Sequence, residues 1–370
     1  MKKIKILELT NYTSGGCGVG ARVIQEARLL AKNHEVQVFS SYYEKGTNKI
    51  CPIEEKINKL IIKRFPAKYL GGQSFMSWNF QKEAIKFKPD IIIAHAYRHF
   101  HTTRALKIAK KIGAKIFLVT HAPFVEGDTT RSLKEKLIVN LYDKFFARFY
   151  INKFNKIIAI TPWEIPLLEK IGAKKDKIVL IPNGIREEFF IPSKKKEQNK
   201  ILFMGRISPI KDLETLILAM KYVKNKNLRL EIIGPAELGY LKILQNLIKS
   251  NNLQNKVKIT NKTYDYKEQI SNLDEAKIYV LPSKSEAMPQ TLIEAMARGK
   301  IVIASNNGGS SALIVNGKTG HLFQIGDPEA LAEKINQALS SNQLNIKKAT
   351  KKYVEQYRWS TIIKKLEALF

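Results

Sequence analysis

Cysteine is nearly absent: Cys17 and Cys51 are the only two in 370 residues. Two thiols cannot build a disulfide framework, so the fold must rest on a buried core, and a reducing, cytoplasmic setting is expected. Long apolar runs are missing too. None reaches the roughly 18–20 residues that a membrane-crossing helix needs. The opening MKKIKILELTNYTSGG is basic at its start but has no apolar h-region and no small-residue cleavage site. It alternates like a strand, so no signal peptide is expected. Acidic residues are scarce: 33 against 63 Lys and Arg, for a net charge of +30. The excess is spread along the chain, with 34 basic and 17 acidic residues in 1–190 and 29 and 16 in 191–370. A single nucleic-acid patch would be more localised. Two readings of the charge stand: a Lys-rich composition, or attraction to anionic lipid and phosphorylated substrates.

The remaining composition, 44% apolar and 26% charged, is that of a folded chain. Its length suggests two domains. Short β-branched runs at 4–9, 35–40, 61–65, 90–94, 115–120, 156–160 and 178–181 alternate with helical patterns. That is the pattern of parallel strands with crossover helices. The polar stretch 191–200, IPSKKKEQNK, interrupts it and reads as a linker. The alternation restarts with runs at 201–204, 229–233, 257–260, 278–281 and 301–304. The fold class is therefore α/β, with two Rossmann-like doubly wound domains facing an interdomain cleft. The expected division is an N-terminal domain over 1–190, a C-terminal domain over 191–355 and a terminal helix over 356–370 that packs back on the first domain. Ligands of such sheets bind past the carboxyl ends of the strands, so those loops are the places to inspect.

One of them carries SEAMPQTLIEAMARG at 285–299. A strand precedes it, Pro289 suits a first helical turn and Gly299 closes the helix. Backbone N–H groups at Met288, Gln290 and Thr291 would form an anion site at the helix start. Glu286 lies before the helix and Glu294 about one turn inside, so the two carboxylates can reach different hydroxyls of one extended ligand. The loop after 201–204 supplies the opposite sign: Gly205-Arg206, then Lys211, with Asp212 placed to cap the next helix. Arg and Lys converging on a loop suit a diphosphate. In the first half, Gly16-x-Gly18-x-x-Ala21 imitates a dinucleotide fingerprint, but the glycines lie too far beyond the strand and no acidic residue closes the second strand. His121 follows a buried run at its carboxyl end. His95, His99 and His101 follow another; His95 and His99 have the i, i+4 spacing of a metal pair, but no third ligand is evident, so no metal site is expected there. Residues 131–155, RSLKEKLIVNLYDKFFARFYINKFN, are basic and aromatic. They suit either a core helix with a wet cationic face or an interfacial membrane helix.

These elements together resemble the retaining glycosyltransferases of family 4, which have the GT-B fold. The resemblance runs along nearly the whole chain. It rests on Glu286 and Glu294 within SEAMPQTLIEAMARGKIVIAS, Gly205-Arg206 and Lys211, IPNGI at 181–185, Gly308-Gly309, NGKTGHLF at 316–323, Gly15-Gly16, and THAP at 120–123. It implies a hexosyltransferase that uses a nucleoside diphosphate sugar in glycan, glycolipid or cell-surface polysaccharide synthesis. Arg206 and Lys211 would hold the diphosphate, Glu294 the ribose, and Glu286 the transferred sugar. The stretch Met288, Pro289, Gln290 and Thr291 would line the donor. Gly15 and Gly16 would approach the donor phosphates, and His121 would face the transferred sugar. His95 and Tyr97 would line the acceptor side. No metal and no cofactor is expected: there is no D-x-D between the domains, and two cations with a helix dipole can replace Mg2+. The acceptor would be a hydroxyl, lipid-linked or phosphorylated, with the enzyme cytoplasmic and at the inner face of the membrane; nucleic acid is not expected as a partner. The chain departs from the family pattern at Ala312 (a glutamate is usual), at Arg186 (an aspartate), at Pro235-Ala236-Glu237, and at Ala287 and Pro289 (glycines). These touch specificity and leave the charged set intact. The alternatives are a same-fold epimerase or phosphorylase, or a non-catalytic module that binds polyanions or membrane.

Overall fold

The structure is a computed structural model. It describes residues 3–15, 17–47, 49–70, 76–124, 133–340 and 343–370, with the side chains of 133–135 outside the description. The chain forms two compact units. One takes the chain as far as Phe124, the stretch continuing to Gly184, and Trp359–Phe370; the other is Ile185–Arg358.

The first unit is built on strands β1 (Lys5–Leu9), β2 (Glu35–Ser41), β3 (Glu54–Ile57), β4 (Leu60–Phe65), β5 (Ala67–Tyr69), β6 (Met76–Trp78), β7 (Ile91–His95), β8 (Lys115–Val119), β9 (Lys156–Ala159) and β10 (Ile178–Leu180). Eight form one sheet in the order β10-β9-β8-β7-β1-β2-β4-β3. All its pairs are parallel except β3 with β4. β7, IIIAH, is buried along its whole length, as a central strand covered on both faces must be. Helices Gly18–Leu30 and Phe100–Ile112 follow β1 and β7. Gly113, at φ +75°, ends the second of them in the left-handed turn that glycine adopts without strain.

The second unit has β11 (Lys200–Met204), β12 (Arg229–Gly234), β13 (Val257–Asn261), β14 (Ile278–Leu281), β15 (Ile301–Ser305) and β16 (His321–Phe323). They form one parallel sheet in the order β13-β12-β11-β14-β15-β16. Both units are thus Rossmann-like, with the chain reversing direction across the sheet at β1/β7 and at β11/β14.

The break falls at Gly184/Ile185 rather than at 190/191. The polar stretch 191–200 is not free chain, because ion pairs pin it to the second unit. Glu197 accepts from Lys300 at 2.9 Å and Lys347 at 2.9 Å, and Lys195 reaches Glu275 at 2.7 Å. The final helix, Trp359–Glu367, belongs to the first unit. There Glu367 meets His34 at 3.2 Å, and the Trp359 ring fills the space where a side chain at Gly184 would stand, 2.3 Å from an added Cβ.

The aromatic stretch folds as helix Leu133–Leu141, a π-turn Tyr142–Phe146 and helix Ala147–Tyr150. Its inner side packs Tyr142 and Tyr150 around Tyr97, with the Tyr142 hydroxyl donating to Tyr150 at 2.9 Å. Its outer side leaves Leu137, Ile138, Leu141, Phe145, Phe146 and Phe149 exposed, Phe149 by 76%. A core helix would have buried them.

Candidate active site

In the second unit, the loop after β14 is tied down before it reaches Glu286. The Ser283 carbonyl accepts from Asn307 Nδ2 at 2.9 Å and from the Ser305 hydroxyl. Lys284 N donates to the Ile210 carbonyl at 2.9 Å, joining this loop to the one after β11. Two donors then converge on Glu286 Oε1: Ser283 Oγ at 2.6 Å and Lys211 Nζ at 2.5 Å. Lys211 ends a single 3-10 turn, Pro209–Lys211. Lys211 and Glu286, 75 residues apart, are therefore in direct contact. Arg206, at the end of β11, is exposed and makes no hydrogen bond or ion pair among the described residues. Gly309 abuts the loop from the other side: a Cβ there would lie 2.4 Å from the Glu286 carbonyl oxygen. Gly234 does the same for the Gly205 loop, where a Cβ would lie 1.8 Å from the Gly205 oxygen. Neither contact is visible from the motif spacing.

The helix after Glu286 spans Gln290–Ala297, and Pro289 stands at its N-cap (φ −73°, ψ 102°) rather than inside the first turn. Met288 is buried beneath it. Gln290 and Thr291 open the helix, where backbone N–H groups have no partner in a preceding turn. Asp212 precedes its helix as expected, but its carboxylate accepts from the Thr215 hydroxyl at 2.8 Å and not from a backbone N–H. The Leu213 amide goes to Tyr240 Oη at 3.1 Å instead. Glu294 accepts from Gln269 Nε2 at 2.5 Å. Burial pushes its pKa up to about 7, against the pull of Gln269 and the Arg186 charge. Arg186 lies over the Tyr266 ring at 4.6 Å. Gln269 is a site residue that no sequence signal marked.

In the first unit, Gly15 (φ +81°) pairs with Lys45 so closely that a Cβ would lie 2.4 Å from the Lys45 carbonyl oxygen. Gly16 lies outside the described residues. His121 and Ala122 both have left-handed backbone, φ +59° and +46°, which costs non-glycine residues energy unless neighbours fix it. Glu164 does so. Its carboxylate accepts from Thr120 Oγ1 at 2.7 Å, Ala122 N at 3.0 Å and Thr161 N at 3.2 Å, and also from Ile160 N.

His121 Nε2 then meets His95 Nδ1 at 3.0 Å. His95 is 0% exposed and cannot touch an acceptor. Tyr97 is equally enclosed, its hydroxyl donating to Asp143 at 3.0 Å. Both side chains are buried, which runs against the expectation that they line an acceptor surface. His99 donates no metal ligand beside His95: its Nδ1 faces Asn11 Nδ2 at 2.7 Å. His95 instead groups with Glu8 and Glu26, each offering an atom within 4.8 Å of the others. A protein cation already lies there, for Arg22 reaches Glu26 at 3.1 Å and Asn183 of the IPNGI segment at 2.6 Å.

Two Rossmann-like units carrying this charged set define a GT-B glycosyltransferase. Residues 184–357 match the model of the family described as Glycosyl transferases group 1, and residues 16–189 match that of Glycosyltransferase Family 4. The chain belongs to these GT-B, group 1 and family 4-like glycosyltransferases. It is 26% identical over 388 residues to N-acetyl-alpha-D-glucosaminyl L-malate synthase of Bacillus anthracis, covering all of this chain and 97% of that one. It is 26% identical to UDP-Gal:alpha-D-GlcNAc-diphosphoundecaprenol alpha-1,3-galactosyltransferase of Escherichia coli, over 70% of this chain and 69% of that one. Among solved structures, Anabaena HepE in complex with UDP and glucose shares the fold, with a TM-score of 0.74 at 18% identity over 99% and 98% of the two chains.

Proposed function

We propose that this glycosyltransferase moves a hexosyl unit from a nucleoside diphosphate sugar to a hydroxyl acceptor with retention of configuration. The observation that carries the reading is the Lys211–Glu286 contact, with Arg206 of the same β11 loop exposed and without a partner among the described residues. A diphosphate arriving at this loop would draw Lys211 to itself and gain Arg206 as a bidentate partner. Glu286, released from Lys211, would then accept from the sugar hydroxyls. The leaving diphosphate, stabilised by the two cations and by the helix start at Gln290, needs no metal. Glu294 would hold the ribose, with Met288, Pro289, Gln290 and Thr291 lining the donor. Same-face attack by the acceptor, with the leaving diphosphate taking its proton, gives retention without an enzymic nucleophile. His121 of the first unit would contact the transferred sugar, with Gly15 and Gly16 allowing close backbone approach to the phosphates. The names of the relatives, one of them acting with UDP-Gal on a diphosphoundecaprenol-linked sugar, support a nucleotide-sugar donor and a lipid-linked acceptor in glycan synthesis.

Such an acceptor lies at a bilayer, and the exposed face 137–149 suits one. Six large apolar side chains share it with the exposed Lys136, Lys144 and Lys153 close by. Apolar insertion combined with a cationic surround matches an anionic lipid surface, and no helix among the described residues is long and apolar enough to cross the membrane. Calorimetry with UDP, GDP and ADP, followed by turnover of the matching sugar nucleotide on a lipid extract, tests the donor and the acceptor in turn. Undiminished turnover in both Arg206→Ala and Lys211→Ala would sink the assignment.

A further inference from the structure

Glu8 is a fully buried carboxyl in the middle of β1 that the sugar-transfer reading leaves without a task. Its Oε2 lies 3.1 Å from His95 Nε2, and His95 Nδ1 lies 3.0 Å from His121 Nε2. The chain Glu8–His95–His121 thus runs from the core of the sheet to the loop beyond β8. His121 Nδ1, at its open end, has no hydrogen-bond partner among the described residues.

With both rings neutral, as their burial requires, such a chain has only two proton arrangements, because each link holds one proton. If Glu8 accepts, His95 carries its proton on Nε2 and His121 donates from Nε2. The outer Nδ1 of His121 is then an acceptor. If Glu8 donates, every proton moves to the other side, and the outer Nδ1 carries a hydrogen. The surrounding charges choose between them. From the helix Gly18–Leu30 come Arg22 and Glu26, one cation and one carboxylate in contact with each other. Arg22 pulls the other way but is already in contact with Glu26, so a charged Glu8 would be a second carboxylate sharing one cation at a fully buried position. His99 and His101, on the remaining side, offer no charge; burial lowers them to about 3 and about 4. Burial and the Glu26 charge accordingly raise Glu8 well above the ordinary carboxyl range, while burial lowers both His95 and His121.

We propose that Glu8, acting through His95, is a positioning residue that fixes His121 as the Nδ1–H tautomer, so that His121 presents a hydrogen-bond donor to an oxygen of the transferred sugar. The tautomer follows from the chain alone; its use rests on the reading of His121 as a sugar contact. A neutral imidazole held this way donates without bringing a second proton to the site, and its direction is set from the core rather than by solvent.

Long-range proton–nitrogen correlation on the full-length protein with nitrogen-15 histidine tests it. The expected spectrum shows His95 and His121 each protonated at Nδ1 and bare at Nε2. Either ring protonated at Nε2 in the wild-type spectrum overturns the proposal, and that measurement needs no variant. Glu8→Gln, whose amide can still donate, should keep the His121 signature and stay within about threefold of wild-type turnover. Glu8→Leu should release His121 into a mixture of tautomers and lower kcat/KM about tenfold, the loss of one directed hydrogen bond. A His121 signature unmoved by Glu8→Leu also overturns it. If the tautomer shifts in Glu8→Leu and turnover does not, the chain is established and the sugar-contact role of His121 is the part that fails.

Discussion

Lys211 Nζ lies 2.5 Å from Glu286 Oε1, and Ser283 Oγ shares the same oxygen at 2.6 Å. The two charges neutralise each other in a largely enclosed setting, with side chains 19% and 13% exposed. Removing one therefore leaves the other uncompensated. Lys211→Ala and Glu286→Gln should each lower kcat/KM about 100-fold or more. Because the residues act as one unit, the double variant should lose little beyond the worse single one. Steady-state kinetics with a labelled sugar nucleotide check this; fully additive losses would show that the pair is not coupled in function.

Glu294 predicts a pH dependence. Its carboxyl titrates near 7 because burial disfavours the anion. In the proposed role, accepting from ribose hydroxyls would favour the anion, so donor binding should release a proton. Nucleotide affinity should therefore strengthen as pH rises from 6 to 8, and Glu294→Gln should flatten the trend. The same shift acts on stability with the opposite sense. A carboxyl raised above its unfolded value of about 4.5 holds its proton in the folded state, so its contribution is present below that value and is lost as pH rises through about 7. Glu294→Gln should gain melting temperature over wild type at pH 8 and not at pH 4.5.

Glu164 should matter as much as any residue that touches substrate. Its carboxylate takes three backbone amides and a hydroxyl and holds the left-handed pair His121–Ala122. Glu164→Ala leaves those buried donors unpaired, at a cost of about 2–4 kcal/mol. Denaturant unfolding should show that loss. Glu164→Gln, which replaces one acceptor by a donor, should fall between, and in both the His121 ring resonances should move.

Gly309 gives a steric prediction. Any side chain at this position meets the Glu286 and Ala287 carbonyl oxygens at 2.4 and 2.8 Å. Gly309→Ala must push the Glu286 loop aside, so it should reduce turnover at least tenfold while costing only about 1–3 kcal/mol of stability. Turnover that stays within twofold of wild type would mean that the loop position is not critical.

The sheets were legible because β-branched runs buried on both faces, such as IIIAH at 91–95, have no other use. The strands that escaped notice lack that signature. β3, EEKI, is a charged antiparallel edge, and β16 has only three residues. In the site, Lys211 and Glu286 were legible as motif members, since each follows a strand end in a recognisable string. What is not legible is partnership across distance. His95 was read as an acceptor contact because its sequence neighbours say nothing of Glu8, 87 positions earlier. Glu164 looks like a surface helix residue until the topology sets it under Ala122, 42 positions away. Burial of a polar group is decided by which strands become neighbours, and that is a property of the assembled sheet.

The exposed face of 137–149 carries the prediction about place. Phe145, Phe146 and Phe149 project from it, so inserting them into a bilayer interface gains apolar burial, while Lys136 and Lys144 gain from anionic headgroups. The full-length protein should sediment with vesicles containing phosphatidylglycerol and much less with pure phosphatidylcholine, and salt should weaken the binding. Phe145→Ser with Phe149→Ser should reduce binding to phosphatidylglycerol vesicles about tenfold. Turnover on a water-soluble acceptor analogue should remain, because neither residue belongs to the donor loops. Equal binding by the wild type and the double variant would remove the face from the membrane reading. A concentration-dependent dimer that the double variant abolishes would assign the face to a second copy of the chain instead.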